Sequence, residues 1–308
     1  MNVYHYPAAS VPAGCYAATI GFFDGVHLGH QYLLGQLQRM ADAGGQQTMA
    51  ITFDRHPRQV VQTGWQPQLL TTLDEKMALL AETGIDALVV LDFDGAMAAL
   101  TARQFMADVL RDRLHVELLL TGYDNRFGHD RTESFVDYER YGHELGVKVV
   151  CADPLGTFSS SLVRRLLDGG DVAGAAQCLG RNYSIGGHVV HGEQNGHVLG
   201  FPTANLMPDS PLKLIPAKGA YAVVATLADG TCHFGMTNIG MRPTFHGEQL
   251  TLETNVFEPV GDIYGQPLRI DFVARLRDEQ PFPSQEALAA QLSQDRLMAE
   301  KILAEKVK

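Results

Sequence analysis

The chain has 308 residues, 45% apolar and 19% charged, enough to bury two ordinary cores and unlike a disordered composition. With 24 basic against 35 acidic residues the net charge is −11, which excludes a general nucleic-acid or anionic-membrane surface but not a small anion held by local amides and a few cations. Cys15, Cys151, Cys178 and Cys232 lie far apart and form no metal-ligand spacing, as expected of reduced thiols in a cytoplasmic protein.

In chain order, residues 16–22 read as a strand, 28–43 as a helix and 47–53 as a strand. Helix 74–83, strand 86–91, helix 101–113, strand 115–120, helix 132–145 and strand 147–151 follow. The strands are apolar throughout rather than alternating, as a parallel sheet covered on both faces requires. This half is therefore expected to be a doubly wound, Rossmann-like α/β domain. Two short helices over 159–180 lead to a boundary, placing one domain at 1–180 and a second at 181–308. Beyond it come short strands at 184–191, 220–226, 231–238, 250–257 and 267–274, separated by Gly, Pro and Asn. That pattern predicts a small antiparallel β-barrel or sandwich. A terminal helix is expected at 284–305, with Ser284 as N-cap and Leu288, Leu292, Leu297 and Ile302 as its apolar stripe. The N-terminus lacks a basic stretch followed by an apolar one, and no apolar run approaches the roughly 20 residues of a membrane span, so neither a signal peptide nor a membrane role is expected.

Two segments carry chemistry. Gly21-Phe22-Phe23-Asp24-Gly25-Val26-His27-Leu28-Gly29-His30 lies where a strand gives way to a helix. A helix N-terminus offers unpaired amides and a positive dipole end, which suits phosphate. His27 and His30 are three apart, so both imidazoles can project from one side and donate to charge on a leaving pyrophosphate. The hydroxyls of Ser159, Ser160 and Ser161 at a helix start, with Arg164 one turn on, form a second phosphate-binding corner; simple N-capping is the plainer alternative. Further on, Gly200-Phe201-Pro202-Thr203-Ala204-Asn205 places a hydroxyl and an amide two apart. In extended chain both face one way, as hard oxygen ligands for a Mg2+ that bridges nucleotide phosphates. Glu253 is an acid inside a β-pattern strand, with Leu252 and Val256 on the other face.

The GFFDGVHLGH run resembles the HxGH nucleotidyltransferase superfamily, in the form found in bacterial bifunctional riboflavin kinase/FAD synthetases. Thr52–Pro57 is similar to that family's TFxPHP segment, with Arg55 where Pro is usual. Thr121–Gly128 is similar to its GxDFRFG loop, with Asn125 replacing Phe, and Ser159–Arg164 to its SSTxIR segment, with Leu162 in place of a frequent Arg. GFPTAN resembles the riboflavin kinases, and Asn238–Phe245 resembles their NIGxRPT segment; Asn255 stands where a His is usual. The resemblance implies ATP-dependent phosphorylation of riboflavin to FMN and adenylylation of FMN to FAD. It implies ATP contacts at Gly21, Phe22, Asp24, Gly29, Ser159, Ser160, Gly200, Thr203 and Asn205. Flavin contacts are implied at Asp124, Asn125, Arg126 and His56, although an ordinary polar loop and a turn histidine stay open there. His27, His30 and Arg164 would stabilise the outgoing pyrophosphate, and Glu253 would be the base for the ribityl hydroxyl. Partners are expected to be small molecules, with Mg2+ as cofactor and a monomer or weak homo-oligomer as the assembly. Alternatives are a riboflavin kinase whose adenylyltransferase half is weakened or lost, and a flavin-binding module without turnover. A nucleotidyltransferase with another substrate is a further one.

Overall fold

The structure, a computed structural model, describes all residues except 63, 123–124, 130, 192–200, 245–246 and 307–308; over 242–249 only backbone is described. The chain divides into two compact units, Met1–Phe158 and Ser159–Lys308.

The first unit holds β1 (Asn2–Tyr6), β2 (Tyr16–Ile20), β3 (Gln47–Phe53), β4 (Ala87–Leu91), β5 (Val116–Thr121) and β6 (Lys148–Cys151). Every described pairing among them is parallel, in the order β1-β4-β3-β2-β5-β6. Its helices are α1 (Leu28–Gly44), α2 (Pro57–Val61), α3 (Leu73–Glu82), α4 (Gly95–Ala98), α5 (Ala102–Gln104) and α6 (Phe135–Leu145). Alternate strand residues serve opposite faces: Ile51 and Val89 pack with Met106, Leu110 and Tyr138, whereas Ala50 and Leu88 pack with Leu34 and Leu80. Both faces are thus covered, which is why the strands read as continuous apolar runs.

Two features of this unit escaped the sequence reading. β1 is an edge strand whose pattern is largely exposed, so NVYHY carried no apolar signal. Within the expected helix 101–113, residues Phe105–Arg111 form a π-helix that buries Phe105, Met106, Val109 and Leu110 together. Composition does not separate π from α winding.

The second unit begins with α7 (Ser160–Asp168) and α8 (Val172–Leu179). Then follow β7 (Tyr183–Val190), β8 (Ala204–Pro208), β9 (Gly219–Thr226), β10 (Cys232–Thr244), β11 (Gly247–Val256) and β12 (Pro267–Arg277). They close into an antiparallel barrel, β10-β11-β8-β7-β12-β9. β8 was not among the expected strands, although residues 203–205 read as extended chain. β10 and β11 run past Gly240 and Pro243, where turn chemistry had suggested a stop.

α9 (Gln285–Lys306) starts as expected, with Ser284 Oγ accepting from Ala287 N at 3.2 Å. Its buried face is corrected: Leu297 is 68% exposed, and Asp295, Ala299 and Leu303 point inward instead. Asp295 can do so because Arg277 Nε donates to it at 2.9 Å and Gln291 Nε2 at 2.8 Å, satisfying a charge that periodicity alone assigns to solvent. The four cysteines are free. No helix among the described residues is long and apolar enough to cross a membrane.

Candidate active sites

The strand order of the first unit reverses beside β2, whose neighbours β3 and β5 lead to opposite edges. In open parallel sheets ligands bind at the carboxyl ends of strands at such a switch point. The loop 21–27 leaves β2 there. It is strained: Phe23 and Val26 have φ of 53° and 39°, and Gly25 has φ of 80°. A β-branched residue at positive φ persists only where surroundings over-determine it. Asp24 supplies much of that determination. It is 3% exposed, and its carboxylate accepts from Leu70 N, Thr71 N and the Thr71 hydroxyl at 3.0–3.3 Å. The structure therefore commits Asp24 to holding the loop.

His27 is the N-cap of α1, with Nδ1 accepting from His30 N at 3.3 Å. In the neutral ring the proton then sits on Nε2. The His27 and His30 rings stack at 3.6 Å, so the spacing does bring them together. Gly29 is required here: a Cβ would lie 3.1 Å from the His27 ring and 3.3 Å from Phe158 O. Burial, then the neighbouring His27 and Lys76, push the His30 pKa well below its ordinary value. Its Nδ1 is buried and finds no partner among the described residues.

Lys76 was missed, because in sequence it reads as the polar face of a helix. It is 3% exposed, and its Nζ donates to Phe22 O and Phe53 O at 3.2 Å each, tying the ends of β2 and β3. It also lies 4.3 Å from the Phe22 ring centroid. Burial lowers its pKa to about 8, opposed by Asp24 and Asp54.

Next to this loop is a cavity of 610 Å³ whose lining includes Gly21, Phe22, Phe53, His56, Asn125 and Arg126. Phe22 meets His56 edge-on at 4.7 Å, and His56 packs on Trp65 at 4.8 Å. His56 also caps α2 through Nδ1, which accepts from Arg58 N at 3.1 Å. Asn125 Nδ2 donates to Ile20 O, so its amide joins the ends of β5 and β2. Phe127 anchors the loop by stacking on Tyr138 at 4.3 Å. Asp124 lies outside the described residues.

Ser159, Ser160 and Arg164 belong to the second unit. Ser159 Oγ accepts from Leu162 N at 3.1 Å, so this hydroxyl caps α7. Asn205 and Glu253 are brought opposite each other, and Thr203 shares a cavity with Glu253. Glu253 pairs with Asn205 on β8 and with Asn238 on β10. Residues paired across adjacent strands share a face, so Asn205, Glu253 and Asn238 project together. Glu253 and Thr203 both line a cavity of 270 Å³, walled by Phe201 and Met236 and by Phe282, Leu288 and Leu292. The Arg277–Asp295 ion pair closes its edge, both partners mostly buried. Thr203 also lines a neighbouring cavity of 430 Å³ with Val189, Thr254 and Tyr264. Thr203 thus borders both spaces. Gly200 lies outside the described residues.

Among the described residues no group of three or more His, Cys, Asp or Glu side chains gathers as a metal site. The Thr203 hydroxyl and Asn205 amide instead suit a Mg2+ that keeps waters and takes phosphate oxygens.

Two family models match the chain: FAD synthetase over residues 10–163 and riboflavin kinase over 179–303. A bifunctional riboflavin kinase/FMN adenylyltransferase of Escherichia coli (strain K12) is 37% identical over 292 residues, 93% of this chain and 92% of its own. One of the same description from Haemophilus influenzae is 35% identical, covering 94% of each. A crystal structure described as a macrolide-efflux protein from Streptococcus pneumoniae matches with a TM-score of 0.89 at 27% identity, over 97% of this chain and 99% of that one.

Proposed function

Because the chain belongs to the bifunctional riboflavin kinase/FMN adenylyltransferase family, we propose that it converts riboflavin to FMN and FMN to FAD, using ATP in both steps. The observation that carries this reading is a separate chemical site in each compact unit, each overlapped by its own family model. We assign adenylyl transfer to residues 1–180 and the kinase to 181–308.

In the kinase the flavin ring takes the cavity between the barrel and α9, against Phe201, Met236, Phe282, Leu288 and Leu292, and the nucleotide takes the space beyond Thr203. Glu253 accepts the proton of the terminal ribityl hydroxyl as that oxygen bonds to the γ-phosphorus and ADP leaves. Thr203 and Asn205 would hold Mg2+, which when bound neutralises phosphate charge.

In adenylyl transfer a phosphate oxygen of FMN bonds to the α-phosphorus of ATP, and pyrophosphate leaves. His27 Nε2, the neutral His30 ring and the first amides of α1 stabilise the departing charge. Gly21, Phe22 and Gly29 form the nucleotide wall. The ring takes the cavity of Phe22, Phe53 and His56, with Asn125 and Arg126 at its rim. The free thiols support work in the reducing cytoplasm.

Incubating the purified chain with riboflavin, ATP and Mg2+ and separating the flavins tests the proposal. FMN and FAD should both accumulate. FMN alone would indicate a silent adenylyltransferase half, and neither would indicate a binding module. Glu253→Gln should reduce FMN formation by about 10²- to 10⁴-fold, while FAD still forms from supplied FMN; normal phosphorylation by this variant would remove Glu253 as the base.

A further inference from the structure

Asn255 lies two residues beyond Glu253 on β11 and lines the same cavity. It is 4% exposed. Its Nδ2 donates to Pro202 O at 2.7 Å. A carbonyl only accepts, so this bond orients the amide and leaves Oδ1 on its other side. That Oδ1 is buried and has no hydrogen-bond partner among the described residues. A buried acceptor without a donor costs free energy that an incoming hydroxyl would relieve.

We infer that Asn255 is a substrate-binding residue of the kinase site, its Oδ1 accepting a hydrogen bond from a secondary hydroxyl of the ribityl chain. The inference rests on the kinase reading above. Strand alternation puts Asn255 on the side of Glu253, about 7 Å further along. A polyol whose terminal hydroxyl meets Glu253 carries more O–H donors along that length. A flat ring edge placed at Glu253 carries none that could accept a phosphoryl group. The Nδ2 bond has a second effect: it holds the backbone just before Thr203, so the group that recognises the polyol also steadies the segment facing the nucleotide. Asn255 thereby distinguishes flavins that carry the polyol from those that do not.

The test compares the wild-type full chain with Asn255→Leu, measuring the KM for riboflavin phosphorylation and the inhibition constant of lumiflavin in the same assay, so that only the kinase site is read. The probes are riboflavin and lumiflavin, which has a methyl group in place of the ribityl chain. The riboflavin KM should rise about tenfold, the loss of one hydrogen bond into a buried acceptor, while the lumiflavin inhibition constant stays the same. Asn255→Ser, which shortens the side chain, should behave alike and decides the matter if the leucine variant does not fold. An unchanged riboflavin KM, or equal weakening for both flavins, overturns the inference. Wild-type chain that makes no FMN would instead overturn the kinase reading itself.

Discussion

His30 is held from several sides: it is stacked on His27 and edge-on to Phe23 at 5.2 Å, and its buried Nδ1 has no partner among the described residues. Its lowered pKa means that the folded protein holds it neutral at pH 7. In the unfolded chain it titrates near 6.5. Between that value and the lower folded one, the unfolded chain binds the extra proton, so stability falls as pH falls through this window and levels off below it. Thermal unfolding from neutral to mildly acidic pH should show that loss, and His30→Asn should shrink it. In activity, His30→Ala should cut FAD formation by about 10²- to 10³-fold and leave FMN formation unchanged. Equal loss of both products would contradict separate sites.

At the scale of elements, the loop between β2 and α1 matters most. Its positive-φ residues do not hold themselves; Asp24 fastens it to residues 70–71, and Lys76 fastens Phe22 to the end of β3. Asp24→Ala removes the acceptor of several buried donors and should cost about 3 kcal/mol in urea unfolding. It should also slow adenylyl transfer although Asp24 is turned away from solvent, since Gly21 to His27 would lose their fixed course. An unchanged unfolding midpoint would show that the strain is held elsewhere. In the barrel, pairing does the corresponding work. The short β8–β11 contact sets Asn205 opposite Glu253. A shift by one residue would send either side chain to the other face.

Taken whole, the molecule is two units with their own sheets and chemistry. If the activities depend on separate sites, two damaged chains should complement each other. Glu253→Gln lacks the kinase and His30→Ala the adenylyltransferase. Neither alone should yield FAD from riboflavin, whereas a mixture should, through FMN released to solution. Failure of the mixture, with each partner still active in its remaining step, would mean that FMN does not exchange between chains.

Amino-acid order alone determined the parallel α/β half, the barrel half, the paired histidines and the Thr203, Asn205 and Glu253 set. These are local signals, written in apolar periodicity and in contiguous motifs that include GFFDGVHLGH and GFPTAN. Only the tertiary structure decided what distant residues do. Asp24 is expected from the motif as a ligand contact; that it also fastens the loop is visible only in the fold, because its partners are 46 and 47 residues away. Lys76 and Asp295 looked like solvent-facing charges and are buried, because carbonyl ends of strands and Arg277 respectively receive them. Leu297 looked like core and is exposed, whereas Asp295 two residues earlier on α9 is buried against Arg277. Periodicity records which side chains avoid water; hydrogen bonds and charges are settled by partners that only folding brings near.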